Sequence, residues 1–238
     1  MIIDETTIAL VTGANKGIGK AIARGLAQRG MTVLLGARHP ERGMQAAQEL
    51  SADGMVLFLH LDVTDEASVH AAAQEIARRY GKLDVLINNA GINVGSQQPS
   101  EVTAASMRQV YEINVFGVVT VTHAMLPLLR QSLAGRIVNI SSIRGSLSSP
   151  DAFVGQPTLP YSSSKTALNA LTVHYARALV DTPIKVNAAA PGFVATDINH
   201  FTGERTPEQG AAIALTLATL DEHGPTGGFF DEKEQLPW

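Results

Sequence analysis

Seven short apolar runs rich in Val, Ile and Leu recur along the chain, separated by segments with helical patterning. That alternation limits the fold more than any other feature of the sequence. The runs are IALVTG from Ile8, TVLLGA from Thr32, MVLFLHLD from Met55, LDVLINN from Leu83, RIVNISS from Arg136, IKVNAAAP from Ile184 and a weaker GGFF from Gly227. Helical patterns fill the gaps at about 16–29, 41–50, 65–80, 104–133, 161–180 and 207–220. Thr64 and Thr206, each followed closely by an acid, read as helix caps, and Pro207 occupies a first-turn position where its missing N–H costs nothing. Strands that are apolar throughout, rather than alternating, belong to a sheet covered on both faces. Strands that alternate with helices pair in parallel. The expectation is a doubly wound α/β domain, 1–238, whose mostly parallel seven-stranded sheet carries helices on both faces. No repeat or linker divides it.

Directly after the first run comes TGANKGIGK, with glycines at 13, 17 and 19. Gly13 permits a tight strand-to-helix turn. The missing side chains let backbone N–H groups approach a pyrophosphate, and the helix N-terminus adds its positive dipole end. Cofactor contacts are therefore expected at Gly13, Asn15, Lys16, Gly17, Ile18 and Gly19, within a Rossmann-type fold. An NAD site usually places an acid at the end of the second strand to hold the ribose. Here that strand ends in Gly36, Ala37 and Arg38, with no acid before Glu41. Arg38, with its guanidinium fork, and Lys16 suit a 2′-phosphate, so NADP is expected over NAD.

LPYSSSK, at 159–165, sets Tyr161 and Lys165 one helical turn apart. A lysine ammonium near a phenol favours the phenolate and makes a proton donor and acceptor. The pair alone is a weak signal; composition narrows the alternatives. With no cysteine, thiol catalysis, disulfides and thiolate zinc sites are excluded. The seven His are scattered, so no metal centre is expected. A net charge of -4 with no basic run argues against nucleic acid and against anionic membranes. The acidic opening MIIDETT is unlike a signal peptide, and no apolar stretch approaches the ~20 residues of a membrane span. A soluble, cytoplasmic protein is expected.

The motifs TGANKGIG, LDV at Leu61, NNAG at Asn88, Asn114, VNISS at Val138, YSSSK at Tyr161 and PGFVATD at Pro191 occur in an order that resembles the short-chain dehydrogenase/reductase family. The likeness is to its compact branch, and within it to NADP-dependent carbonyl reductases. The resemblance implies an acid/base Tyr161. Lys165 would bind the ribose and lower the Tyr161 pKa. Ser142 would be the donor to the substrate oxygen, with Ser141, Ser148 and Ser149 as alternatives. Asn114 would sit at a helix kink that holds a water for proton supply. It also implies that Asp62 and Val63 meet the adenine and that Asn89, Ala90 and Gly91 line the adenosine side. Pro191, Gly192, Val194 and Thr196 would cover the nicotinamide and its phosphate.

The stretch between Ser142 and Tyr161 is longer than is usual in the family and rich in Ser, Pro and Gly, which reads as a specificity loop. The segment between Pro191 and Pro207 resembles the family's mobile lid, with Phe193, Ile198 and Phe201 as its apolar inner surface. Val94, Ser96, Arg144, Phe153, Val154 and Leu159 complete the expected pocket wall. The function implied is hydride transfer between NADPH and a medium-sized, largely apolar ketone or aldehyde, or the reverse on an alcohol. The alternative is a non-catalytic NADP-binding regulator of the same fold. A homodimer or homotetramer, formed through the helices at 104–133 and 161–180, is expected, with a monomer as the other possibility.

Overall fold

A computed structural model describes residues 3–238. Its sheet contains β1 (Ile8–Thr12), β2 (Thr32–Ala37), β3 (Val56–His60), β4 (Val85–Asn88), β5 (Arg136–Ile140), β6 (Lys185–Ala189) and β7 (Phe229–Phe230). The order is β3-β2-β1-β4-β5-β6-β7, and every pairing is parallel, not merely most of them. Each residue of β1, β2, β4 and β5 is buried, as strands covered on both faces must be. On one face pack α1 (Gly17–Ala27), α2 (Pro40–Glu49) and α7 (Pro207–Ala218), which contribute Ile22, Leu26, Ala46, Ile213 and Leu217 to the core. On the other lie α3 (Glu66–Tyr80), α5 (Gly117–Leu129) and α6 (Leu159–Ala178), contributing Val69, Ile76, Val121, Met125 and Ala176.

The strand order reverses between β1 and β4. The loops that follow those two strands diverge there, opening a crevice at their carboxyl ends, where ligands bind in folds of this kind.

Three expectations need correction. The cap of α3 is Asp65, whose carboxylate accepts from Ala67 N–H, rather than Thr64, whose hydroxyl donates to Asp62 instead. The helix expected over 104–133 is α4 (Ala104–Tyr111), a π turn (Glu112–Phe116) and α5, and it stops at Leu129. Taken together, Ala104–Leu129 is long and apolar enough to cross a membrane, contrary to the reading of the sequence; half of its apolar 18-residue window is buried within the molecule. At Thr206 the expectation holds, because its hydroxyl accepts from Gln209 N–H while Gln209 Oε1 accepts from Thr206 N–H.

Candidate active site

The glycine loop and the chain after β4 are fitted to each other at backbone range. Gly13 and Gly17 adopt φ of 63° and 54°, which disfavour residues with a side chain. A Cβ on Gly13 would lie 2.9 Å from Ala90 Cα, and one on Gly19 only 2.4 Å from Asn89 Nδ2. That space lets Asn89 Nδ2 donate to Thr12 O at 2.8 Å, while Thr12 Oγ1 accepts from the N–H groups of Asn89 (2.9 Å) and Ala90 (3.0 Å). The crevice between them has a volume of about 330 Å³.

At its outer end stand Lys16, Arg38, His39 and Arg42. Arg38 Nε lies 3.2 Å from His39 Nε2, and among the described residues neither Arg38 nor Arg42 forms an ion pair. Lys16 pairs with Asp197 across the opening. Asp62 and Val63 form a side wall. Burial raises the Asp62 pKa, but hydrogen bonds from the Thr64 N–H and hydroxyl, with the charge of Arg38, bring it below the usual value and keep it ionised. The opposite wall is Thr196, Asp197 and Ile198. Pro191, Gly192 and Val194 do not reach the crevice: Gly192 lies against Arg205, and the Val194 side chain packs on Gly210 of α7. Arg42, His39 and Asp197 escaped the sequence reading. The available signal was Arg42 in the first turn of the helix that Pro40 starts, four residues beyond Arg38.

Beside this crevice, α6 carries Tyr161 and Lys165. Lys165 is 4% exposed, with Nζ 5.5 Å from the centre of the Tyr161 ring and donating to Ile140 O at 2.7 Å. Burial lowers its pKa from 10.5 to about 8. Burial raises that of Tyr161, while the hydrogen-bonding Ser142 hydroxyl and the charge of Arg144 pull it down. The lowering expected from Lys165 is therefore absent from the chain alone, because Lys165 is turned to the Ile140 carbonyl and burial dominates the phenol. A Cβ on Gly145 would sit 2.7 Å from the Lys165 carbonyl carbon, so the turn after Ser142 rests on the α6 backbone. This contact brings Ser142 to Tyr161. Ser142 Oγ also accepts from Arg144 N–H at 3.2 Å.

The other serines are engaged elsewhere. Ser141 Oγ donates to Asn169 Oδ1 inside the core (2.6 Å), Ser148 Oγ donates to Trp238 O, and Ser149 is buried.

Asn114 is fully buried in the π turn, a rare irregularity that frequently marks functional sites. Its Nδ2 donates to Ile92 O and Ser164 Oγ, both at 3.0 Å, and its Oδ1 accepts from Ile92 N–H at 2.9 Å. The side chain thus ties the π turn and α6 to the chain leaving β4. Gly91 fills the remaining gap, since a Cβ there would lie 3.3 Å from Asn114 Oδ1 and 3.7 Å from Lys165 Nζ.

The expected substrate side looks different. Phe193 and Phe201 are 55% and 69% exposed and line no cavity, whereas Ile198, 41% exposed, lines the nucleotide crevice. Phe201 has φ 60°, a strained conformation for a bulky residue. Phe153 and Val154 are exposed to a similar degree; Ser96 and Leu159 are exposed as well, while Val94 and Arg144 are half-buried.

A parallel doubly wound sheet, a crevice at its switch point and a half-buried Tyr161 one turn from a buried Lys165 beside that crevice define a Rossmann-type oxidoreductase acting on carbonyl or CH–OH groups. The family profile for short chain dehydrogenases matches residues 7–207, and the chain belongs to that family. NADPH carbonyl reductase 1 of Bos taurus is 33% identical over 276 aligned positions, covering 97% of this chain and 98% of the relative. Short-chain dehydrogenase/reductase 1 of Saponaria officinalis is 35% identical over 290 positions, covering 97% and 95%. The structure of NADPH-bound carbonyl reductase from chicken fatty liver superposes with a TM-score of 0.88 at 29% identity, covering 99% of this chain and 100% of that one.

Proposed function

We propose that the chain is an NADPH-dependent reductase of small-molecule ketones or aldehydes, with Tyr161 as proton donor. The observation that carries this reading is the meeting of Ser142, Tyr161 and Lys165 beside a crevice whose outer end holds Arg38, Arg42 and Lys16 and no acid at the end of β2. The crevice fits a phosphorylated dinucleotide on its own chemistry. Gly17 would hinder a pyrophosphate least, Asp62 is an ionised acceptor for an adenine amino group, and the two arginines lack carboxylate partners that a 2′-phosphate would have to displace. Lys16 has one, and Asp197 would have to release it.

Held by the glycine loop, Arg38 and Asp62 and by Lys165, NADPH would supply the hydride. Tyr161, neutral because burial holds its pKa up, donates its hydroxyl proton to the carbonyl oxygen. Ser142 donates a hydrogen bond to the same oxygen as charge develops there. Lys165 would hold the ribose hydroxyls, a move that exchanges its bond to Ile140 O for a new one. Asn114 keeps Ile92 and Ser164 in place around it. The non-catalytic alternative gains no support, because Tyr161 and Lys165 are both present one turn apart and the relatives named above are a reductase and a dehydrogenase/reductase. Exposed Phe116 and Val119 on the α4–α5 rod support pairing of copies through that face.

The test is the kcat/KM for reduction of an activated ketone with NADPH and with NADH, in the unmodified chain and in Arg38→Asp. NADPH is expected to be preferred by at least about tenfold, as one or two charge-assisted hydrogen bonds of ~1.5–3 kcal/mol each imply. Arg38→Asp is expected to remove most of that preference. Equal use of both cofactors by the unmodified chain rejects the phosphate assignment.

A further inference from the structure

Beyond β7 the chain makes a tight turn that nothing in the proposed chemistry uses. Asp231 Oδ1 accepts from the N–H groups of Lys233 and Glu234, both at 2.8 Å, and Asp231 N–H donates to Glu234 O. Phe230 and Gln235 form an antiparallel bridge, and Leu236 N–H donates to Phe229 O at 2.7 Å. The Trp238 ring then stacks on Phe229, with centroids 5.6 Å apart and planes 14° from parallel. Phe229 is fully buried and paired to β6, so this hairpin is fixed to the edge of the sheet.

Two arms leave it, one for each exposed wall of the substrate side. Glu232 pairs with Arg205, which closes the neck of the segment 193–205: Arg205 N–H donates to Phe193 O (3.1 Å) and its carbonyl accepts from Ala195 N–H (2.8 Å). On the other side, Pro237 O accepts from Ser146 Oγ at 2.9 Å and Trp238 O from Ser148 Oγ at 2.7 Å. Ser146 also accepts from Ser149 N–H at 2.9 Å, so it fixes the start of the loop 146–158. The far end of that loop is held where Thr158 bridges Gln97. Between these anchors Phe153, Val154 and Gly155 stand in solvent.

Val194 and Ala152 are buried near the two bases, but the exposed tips that carry Phe193, Phe201, Phe153 and Val154 are not placed by core packing, so their position follows from where the bases are tied. The two bases are tied to one hairpin. We infer that the hairpin 229–238 sets the separation of the two walls of the substrate mouth, which makes Trp238 and Glu232 positioning residues for substrate selection. This rests on the proposed carbonyl reductase activity and adds to it which residues, remote from Tyr161, decide the size of the carbonyl compound accepted.

The experiment compares the unmodified chain with Trp238→Ala, Trp238→Phe and Glu232→Gln, using benzil as a bulky ketone and propanal as a small aldehyde. Trp238→Ala is expected to raise KM for benzil about tenfold, with kcat and the NADPH Kd within about twofold and propanal unaffected. Trp238→Phe keeps the stack and should restore KM, and Glu232→Gln should give a smaller change of the same kind. Hydrogen exchange at the amides of Ser148, Ser149 and Ala152 is expected to quicken in Trp238→Ala and to recover in Trp238→Phe. An unchanged benzil KM overturns the inference, as does a KM that moves equally for both substrates or together with kcat and NADPH affinity. If the unmodified chain reduces no carbonyl compound, the proposed function fails; the exchange experiment then judges the tie, and unchanged exchange rejects it.

Discussion

The nucleotide crevice and the proposed substrate mouth are built by different means. Around the crevice, side chains and backbone fit at distances that leave no freedom: Gly13 and Gly19 lie where any Cβ would strike Ala90 or Asn89, and Asn114 meets Ile92 with both its donor and its acceptor. The mouth is formed by two segments whose large apolar side chains face outward and whose positions depend on contacts at their bases. A site made rigid in one half and left adjustable in the other can keep one cofactor in one pose while the carbonyl compound it accepts changes with a few residues. Such rigid placement of reacting groups on helices and strands is what gives a catalytic geometry its accuracy.

The sharpest separation of the two halves is at the proposed proton donor. Tyr161→Phe removes only a hydroxyl, and turnover is expected to fall by about 10³-fold or more, within the range of general acid catalysis. Because the crevice does not depend on that hydroxyl, NADPH affinity should stay within about threefold, measured by quenching of Trp238 fluorescence or by calorimetry. Retained turnover would remove Tyr161 from the chemistry, and a large loss of affinity would show that the halves are not separable there.

Lys165 offers a smaller effect that belongs to the rigid half alone. Its pKa is about 8 when folded and 10.5 in its reference state. Between those values the unfolded chain holds a proton that the folded chain has lost, so stability rises with pH across the window. Below pH 8 the cost of burying the charge is carried in full. The whole shift corresponds to about 3 kcal/mol, of which roughly half falls below about pH 9.5, before tyrosine titration intrudes with the opposite sign. Urea titrations of the cofactor-free protein should show this rise, and Lys165→Met should flatten it. Equal slopes in the two proteins would mean that Lys165 is not held in the buried geometry described.

How much of this the sequence disclosed follows the same division. The glycine loop and the Tyr–Lys pair were legible because each needs particular residue types a fixed few positions apart, and the local backbone then settles the geometry; Asp62 and NNAG were read only from the family resemblance. Asn114 was visible as a poor helix former in a helical stretch, although only the structure shows that it sits in a π turn. The misses depend on long-range geometry. Arg42 and Asp197 face the crevice from elements far apart in sequence. The hydroxyls of Ser146 and Ser148 reach a partner some ninety positions away, and no local pattern encodes that. Phe193 and Phe201 were read as inward because their segment resembles the family's lid and they are its apolar side chains. Their exposure depends on backbone conformation, including the positive φ of His200 and Phe201, which composition does not reveal.

The adjustable half makes the smallest prediction and the one most specific to it. Phe153 is 71% exposed at the end of a 3₁₀ turn (Pro150–Phe153) and has little apolar area to lose on truncation. Phe153→Ala should therefore change unfolding free energy by no more than about 0.5 kcal/mol, as for other surface substitutions, whereas buried Phe→Ala changes cost ~3–5 kcal/mol. If the loop is a wall of the mouth, the same change should still raise KM for a bulky ketone by about three- to fivefold, because a side chain left open to solvent in the free chain gains its contacts from the substrate. NADPH affinity should not move. Chemical denaturation and steady-state kinetics on one preparation read both numbers. Loss of stability without a change in KM would make Phe153 part of the framework and reverse the contrast between the two regions; a change in KM at constant stability would confine the residue to substrate contact.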